Sequence, residues 1–229
     1  MKYIYHHLGL GDHIICNGLV RSLINPKEKY QMFVKEHNLK TVKFMYRDLP
    51  NIDFIVGGDD FAVSFIVNNK IIKENLILAG FERHPNSKEF DDSFYLQNNL
   101  PFEYRWTNFK CIRDEEKEME LFKKYNIKEN EYIFLHDDVS RNFEINRNYI
   151  VNKEVPLIIP IKGLTDNIFD YCYLMENSIE SHFIDSSFRL IFDSLQLRDS
   201  NLFYHLNLKN GVIKDRTTKS QSKLNFNII

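Results

Sequence analysis

Strand-like and helix-like segments alternate along most of this 229-residue chain. In the first half, four short segments are rich in β-branched and aromatic residues, a pattern typical of buried strands. They cover residues 2–8, 30–34, 53–56 and 75–79. Apolar residues at helical spacing follow the first two of them, and residues 61–67 fit either a strand or a helix. This alternation predicts an α/β fold with a mainly parallel sheet and right-handed crossovers.

The same pattern returns after residue 110, which predicts a second α/β unit of similar size. Strands are expected at residues 132–135, 157–161, 181–184 and 203–206, and helices at residues 115–125, 168–175 and 188–195. The intervening stretch, residues 82–113, is polar and studded with aromatic side chains, and we place the domain connection there. The predicted organisation is an N-terminal domain at 1–110, a C-terminal domain at 111–213 and a flexible tail at 214–229.

Composition narrows the class of protein. Hydrophobic residues make up 43% of the chain and aromatic residues 14%, which is enough for a packed core. The net charge is −2, so no global positive field would hold nucleic acid. Three widely spaced cysteines, Cys16, Cys111 and Cys172, fit core thiols of a reducing compartment better than a zinc site. With no basic and apolar leader and no run of about 18–20 apolar residues, we expect a cytoplasmic protein without a transmembrane segment.

The first candidate site is the turn Gly9-Leu10-Gly11-Asp12, between the first strand and its helix. Two glycines let the backbone approach a ligand, and the free N–H groups of a helix N-terminus attract anions. The alternative is that Gly9 and Gly11 only form a tight turn and Asp12 caps the helix. A dinucleotide fingerprint would require a third glycine where the chain has Ile14, which disfavours an ordinary Rossmann cofactor site.

Two further polar motifs follow predicted strands of the second half, at the end of the sheet where ligands bind in open α/β folds. Asp185, Ser186 and Ser187 precede an apolar helix and fit either a phosphate site or simple helix capping. The other motif runs from His136 through Asp137 and Asp138 to Ser140 and Arg141, and fits either a phosphate or metal site or a solvated turn.

Histidines and aromatic residues have structural alternatives as well. His6 and His7 alternate across the first strand, so only one of them can face the glycine turn, and a structural role is the simpler interpretation of both. The aromatic stretch at 94–109 fits core packing better than a platform for a sugar acceptor. Because no third metal ligand accompanies Asp137 and Asp138, we expect no metal site and no resident cofactor.

Taken in order, these motifs resemble those of the heptosyltransferase-type glycosyltransferases of family nine. The resemblance covers residues 2–197 and consists of a Leu-Gly-Asp turn with an arginine nine residues on, a Phe-Leu-His strand with a Ser-Arg loop, and an Asp-Ser-Ser turn. The residues that carry it are Leu10, Gly11, Asp12, Arg21, Phe134, Leu135, His136, Ser140, Arg141, Asp185, Ser186 and Ser187. The family has an Asp-Thr-Gly turn where this chain has Asp-Ser-Ser, and a histidine near that turn where this chain has Arg189.

This resemblance implies a GT-B fold, in which two Rossmann-like domains face each other across a cleft. It further implies transfer of a sugar from a nucleotide-sugar donor to an acceptor hydroxyl, with Asp12 as general base. By the same resemblance, His136, Ser140, Arg141, Asp185, Ser186 and Ser187 would bind the donor, with Gly9 and Gly11 beside the base.

Two other classes of function remain open. The chain could be a non-catalytic module that binds a nucleotide or a sugar phosphate, with the acceptor site lost. A redox enzyme with a dinucleotide cofactor is the third class, and the missing glycine at position 14 argues against it. The sequence carries no mark of the donor, the acceptor or the oligomeric state.

Overall fold

The computed structural model describes residues 1–138, 143–197, 201–206, 208–209, 212–213 and 221–229. The chain divides into two compact units, unit 1 at Met1–Ile112 and unit 2 at Arg113–Ile229. The sequence places this division at 110/111, two residues away. Each unit contains a parallel sheet with helices or turns between its strands, which confirms the predicted α/β class with two Rossmann-like units.

Unit 1 is built on a four-stranded parallel sheet in the order β3-β2-β1-β4. The strands are β1 (Lys2–Tyr5), β2 (Tyr30–Lys35), β3 (Ile52–Gly57) and β4 (Leu76–Leu78). The helices are α1 (Leu10–Ile15), α2 (Asn17–Leu23), α3 (Leu39–Met45), α4 (Asp60–Lys70), α5 (Phe90–Leu96) and α6 (Tyr104–Thr107). Part of the core lies between the sheet and α4, where Tyr5, Leu8, Phe33, Val63 and Val67 pack together.

Local chemistry explains where unit 1 departs from the sequence pattern. The apolar run at 14–23 forms two helices rather than one. Cys16 ends α1 and precedes α2. Residues 61–67, which fit either a strand or a helix by sequence, lie in the helix α4. The carboxylate of Asp59 accepts the Ala62 N–H at 2.8 Å and thereby caps this helix.

The aromatic stretch that the sequence assigns to a domain connection belongs to the core of unit 1. Phe94 and Tyr95 are fully buried, and the Tyr95 hydroxyl donates a hydrogen bond to the Ile15 carbonyl at 2.7 Å. In the same region, Arg105 forms a completely buried ion pair with Asp91. These side chains are therefore packing elements rather than a surface for a sugar.

Unit 2 contains a five-stranded parallel sheet in the order β11-β8-β7-β5-β6. The strands of this sheet are β5 (Ile133–Leu135), β6 (Leu157–Ile158), β7 (Glu180–Phe183), β8 (Asn201–Tyr204) and β11 (Asn227–Ile228). The helices are α7 (Glu115–Lys124), α8 (Cys172–Glu176) and α9 (Ser187–Leu195). Two further strands, β9 (Leu208–Lys209) and β10 (Val212–Ile213), pair with each other in antiparallel fashion.

The end of the chain differs from the predicted flexible tail. Residues 214–220 lie outside the described residues, but β11 pairs with β8, and the Ser222 hydroxyl donates to the buried Asp193 carboxylate at 2.5 Å. For residues 221–229, the tail is therefore an integral edge of the sheet.

Two general features complete the fold. None of Cys16, Cys111 and Cys172, all of them among the described residues, forms a disulfide, and Cys16 and Cys172 are buried. Among the described residues, no helix is both long and apolar enough to cross a bilayer.

Candidate functional site

The sheet of unit 1 has its topological switch point between β1 and β4, because β2 and β3 lie on one side of β1 and β4 lies on the other. In open α/β sheets, ligands bind at the carboxyl ends of the strands that flank such a point. His7 follows β1 and Gly80 follows β4, and the Nε2 of His7 lies 2.6 Å from the Gly80 carbonyl oxygen. Since a carbonyl only accepts, this ring nitrogen donates, and the contact fixes the orientation of His7.

Asp12 lies in the first turn of α1, at the same edge of the sheet. Its carboxylate rests against the backbone of Gly9, since a Cβ added at position 9 would lie 2.5 Å from Asp12 Oδ2. Gly9 is the N-cap of α1 and Gly11 is its second residue. Asp12 is the third residue, and its carboxylate accepts a hydrogen bond from its own backbone N–H in the first turn of the helix.

The environment of Asp12 favours its protonated form. Burial raises the pKa of the Asp12 carboxyl to about 6, and the nearby Asp60 carboxylate acts in the same direction. The charges of His7 and Lys35 act in the opposite direction and limit the rise in pKa. A carboxylate with this pKa is ionised at pH 7 and is a stronger base than an ordinary aspartate.

Asp60 is a residue of this site that the sequence motifs did not identify. Its Oδ1 accepts the Leu8 N–H at 3.0 Å and lies 3.8 Å from His7 Nδ1, while its Oδ2 lies 3.5 Å from Lys35 Nζ. The Gly57-Gly58 pair at the end of β3 was visible as a turn, and the two acidic residues that follow it, Asp59 and Asp60, are the signal that could have led to Asp60.

His6 takes the structural role that the sequence favoured for it. Its Nδ1 donates to the His7 carbonyl at 2.8 Å, and its ring packs edge-on against that of the buried His13 at 4.4 Å. In the part of the chain that the structure describes, His6 Nε2 and both ring nitrogens of His13 have no hydrogen-bond partner. Burial lowers the pKa of both side chains, to about 4 for His6.

In unit 2 the switch point lies between β5 and β7, and candidate donor-binding residues follow both strands. His136 comes directly after β5, where its N–H donates to the His182 carbonyl at 3.0 Å and its ring lies 4.4 Å from that of Phe188. Ser140 and Arg141 lie outside the described residues.

The carboxylate of Asp137 is held by other groups of unit 2. It forms an ion pair with Arg147 and accepts the Ile145 N–H at 2.8 Å. Within the described ranges, no group of three or more His, Cys, Asp and Glu side chains is arranged to hold a metal ion.

The Asp-Ser-Ser turn leads from β7 into α9. The Asp185 carboxylate accepts a hydrogen bond from Arg189 Nη2 at 2.8 Å, which ties the turn to the first part of the helix. Ser186 is the N-cap of α9, but its hydroxyl caps no N–H group, and this buried oxygen has no partner among the described residues. Ser187 is the first residue of the helix. The turn therefore places the Ser186 hydroxyl and the N-terminus of α9 at the ligand edge of the sheet.

Comparison with known proteins relates this fold to a glycosyltransferase structure. The whole chain superimposes on 85% of the crystal structure of a glycosyl transferase family 9 protein from Veillonella parvula DSM 2008, with a TM-score of 0.57 and 10% sequence identity. No protein-family model matches the sequence, and no curated protein matches it either. The similarity confirms the predicted fold, that of a two-unit, GT-B-like α/β protein.

Proposed function

We propose that this protein is a glycosyltransferase that moves a sugar from a nucleotide-sugar donor to an acceptor hydroxyl, with inversion at the anomeric carbon. The observation that carries the proposal is the position of the Asp12 carboxylate at the switch point of unit 1, where it rests against the backbone of Gly9 and burial raises its pKa. The similarity in fold to a family 9 glycosyltransferase structure supports the same activity. Such a reaction would be a step in glycan biosynthesis.

In this proposal Asp12 is the general base. A hydroxyl becomes a far better nucleophile as it loses its proton, and a well-placed base contributes typically about 10²–10⁴-fold to the rate. The base must be ionised before the reaction and must hold the proton afterwards, and a pKa of about 6 meets both requirements near neutral pH. Asp60 and His7 both influence the pKa of Asp12. A hydrogen bond from the Leu8 N–H holds the Asp60 carboxylate in place, and a hydrogen bond to the Gly80 carbonyl holds the His7 ring.

Unit 2 would bind the nucleotide diphosphate of the donor. The N–H groups at the start of α9 and the hydroxyls of Ser186 and Ser187 suit phosphate oxygens. We assign His136, Ser140 and Arg141 to the same donor, with Arg141 offsetting the charge that develops on the leaving diphosphate. The ion pair of Asp137 with Arg147 supports a reaction in which side chains rather than a resident metal supply positive charge.

The test combines ligand binding with turnover. The protein is incubated with UDP-, GDP-, CMP- and ADP-linked sugars, and thermal stabilisation and donor hydrolysis are measured. We expect one donor class to stabilise the protein and to be hydrolysed slowly. Asp12→Asn should lose hydrolysis and keep nucleotide affinity, and Asp53→Asn, at an exposed position of β3, is the matched control. Stabilisation by a nucleotide without any turnover would favour the non-catalytic binding module, and no response to any compound would contradict both functions.

A further inference from the structure

Three buried ionisable side chains lie along two neighbouring strands of unit 2. Glu180 and His182 are two residues apart on β7, so they share one face of the sheet. In the register of β7 and β8, His182 pairs with Phe203, so His205 lies on the same face, just after β8. Glu180 and His182 are completely buried and His205 is 4% exposed.

These side chains form a hydrogen-bonded chain with a defined direction. Burial has the largest single effect and would raise the pKa of Glu180, but the hydrogen bonds from His182, the Val151 N–H and Asn152 together outweigh it and the pKa is lowered, so the carboxylate is ionised. The Nε2 of His182, 2.7 Å from Glu180 Oε1, must therefore donate. Burial lowers the pKa of His182 and keeps it neutral, so its Nδ1 accepts from His205 Nε2 at 2.7 Å.

The direction of this chain determines the tautomer of His205. With its proton on Nε2, the ring carries a lone pair on Nδ1, and no described residue makes a hydrogen bond to that nitrogen. Burial lowers the pKa of His205 to about 4, with smaller effects from His182, Asp137 and Arg147. The Tyr149 ring lies 5.8 Å from that of His205. At neutral pH, His205 is therefore an oriented acceptor.

His205 lies at the carboxyl edge of the sheet, next to the candidate donor site. Its N–H donates to the carbonyl of Phe183, the last residue of β7, at 2.8 Å. The Asp185-Ser186-Ser187 turn begins two residues after the end of that strand. A ligand whose phosphates occupy the start of α9 extends over the ends of these neighbouring strands.

We propose that Nδ1 of His205 accepts a hydrogen bond from a hydroxyl of the nucleotide sugar, with Glu180 and His182 as positioning residues that hold the acceptor tautomer. This inference rests on the proposed function. The hydroxyl belongs either to the ribose or to the transferred sugar, and the two are chemically equivalent as donors.

Glu180 also has a structural role, which the test must separate from ligand binding. Its carboxylate accepts the Val151 N–H at 3.0 Å and a hydrogen bond from Asn152 Nδ2 at 2.8 Å, and so holds the segment before β6 on the sheet. If the hydrogen-bonded chain of Glu180, His182 and His205 had only this structural role, ligand binding would leave the ¹⁵N resonances of the His205 ring unchanged.

The first measurement is ¹⁵N NMR of the wild-type protein with labelled histidine. We expect both His182 and His205 to carry their proton on Nε2. When the nucleotide sugar that stabilises the protein in the test above is added, only the ¹⁵N resonance of His205 Nδ1 should shift. Three ligands distinguish the source of the hydroxyl: the nucleotide sugar, the nucleoside diphosphate and its 2′,3′-dideoxy analogue. A shift that persists with the nucleoside diphosphate and disappears with the dideoxy analogue assigns the ribose, and a shift only with the nucleotide sugar assigns the sugar.

The second measurement is ligand affinity in variants. His205→Phe keeps a ring of similar size without an acceptor and should weaken binding about 3–10-fold, the usual effect of one neutral hydrogen bond. His205→Gln should recover part of that loss, and His37→Phe, at an exposed position of unit 1, should have no effect. If His205→Phe does not fold, the wild-type NMR experiment still decides the question.

The possible failures are distinguishable. If the ligand shifts the amides of Ser186 and Ser187 but not Nδ1 of His205, or if His205 carries its proton on Nδ1, this inference is overturned and the proposed function stands. If no nucleotide or nucleotide sugar changes any resonance, both are overturned.

Discussion

The carboxylate of Asp12 lies directly against the backbone of Gly9, and no side chain fits between them. A Cβ at position 9 would lie 2.5 Å from Asp12 Oδ2, well inside van der Waals contact. The backbone of Gly9 itself is unstrained, with φ at −66° and ψ at 145°, values that any residue can adopt. What requires glycine at this position is therefore the position of the Asp12 carboxylate.

Gly9→Ala should displace the Asp12 carboxylate and reduce turnover. A shift of about 1 Å in a reacting group costs on the order of 10²-fold in rate, and we expect a loss of that size in donor hydrolysis. Gly58→Ala is the control, because its Cβ would only touch that of Ala62 at 3.8 Å. Equal activity of the two variants would show that the position of Asp12 does not matter to the reaction.

Asp12→Asn should stabilise the protein above pH 6. Burial raises the pKa of this carboxyl in the folded state to about 6, from about 3.8 in the unfolded chain. Folding therefore favours the protonated form, and its contribution to stability is complete below pH 3.8 and is lost as the pH rises through 6. Asparagine avoids that loss, so urea unfolding at pH 8 should show a gain on the order of 1–2 kcal/mol, and unfolding at pH 4 should show almost none.

Buried neutral histidines should destabilise the protein in mild acid. Burial lowers the pKa of His6 to about 4 in the folded state, against about 6.5 in the unfolded chain. Stability from this group is complete above pH 6.5 and decreases as the pH falls from 6.5 to 4, by up to about 3 kcal/mol. In urea unfolding at pH 7.5, 6.5, 5.5 and 4.5, His6→Phe should show a weaker pH dependence than the wild type. An unchanged slope would contradict the assignment.

The buried ion pair of Arg105 and Asp91 should be sensitive to removal of one partner. Both side chains are completely buried in unit 1, so Arg105→Met leaves a carboxylate without its main counter-charge. Such a change costs about 3–5 kcal/mol, measured as the free energy of unfolding. Lys117→Met is the control, because its ion pair with Glu120 is exposed and screened by solvent, so the free energy of unfolding should barely change.

Much of the fold could be predicted because local pattern and final structure agree. The segment at 30–34 carries apolar residues on both faces, with Gln31 as its one polar residue, as is typical of a strand buried in a parallel sheet, and it forms β2. Asp185, Ser186 and Ser187 were placed at the end of a strand and lie there. The helical nature of 60–70 was not predictable from its apolar residues, because Phe61 and Phe65 are exposed on α4.

What the sequence determined by itself is the order of strands and helices, the two units and the turns that follow the strands, because these depend on side chains close together in the chain. Only the tertiary structure decided which distant residues share a site. Asp60 is 48 positions from Asp12 and His205 is 23 from its partner His182, and each pair meets because parallel strands bring their ends to one edge. The pKa of Asp12 is likewise a tertiary property, since burial and neighbouring charges exist only once the chain has folded.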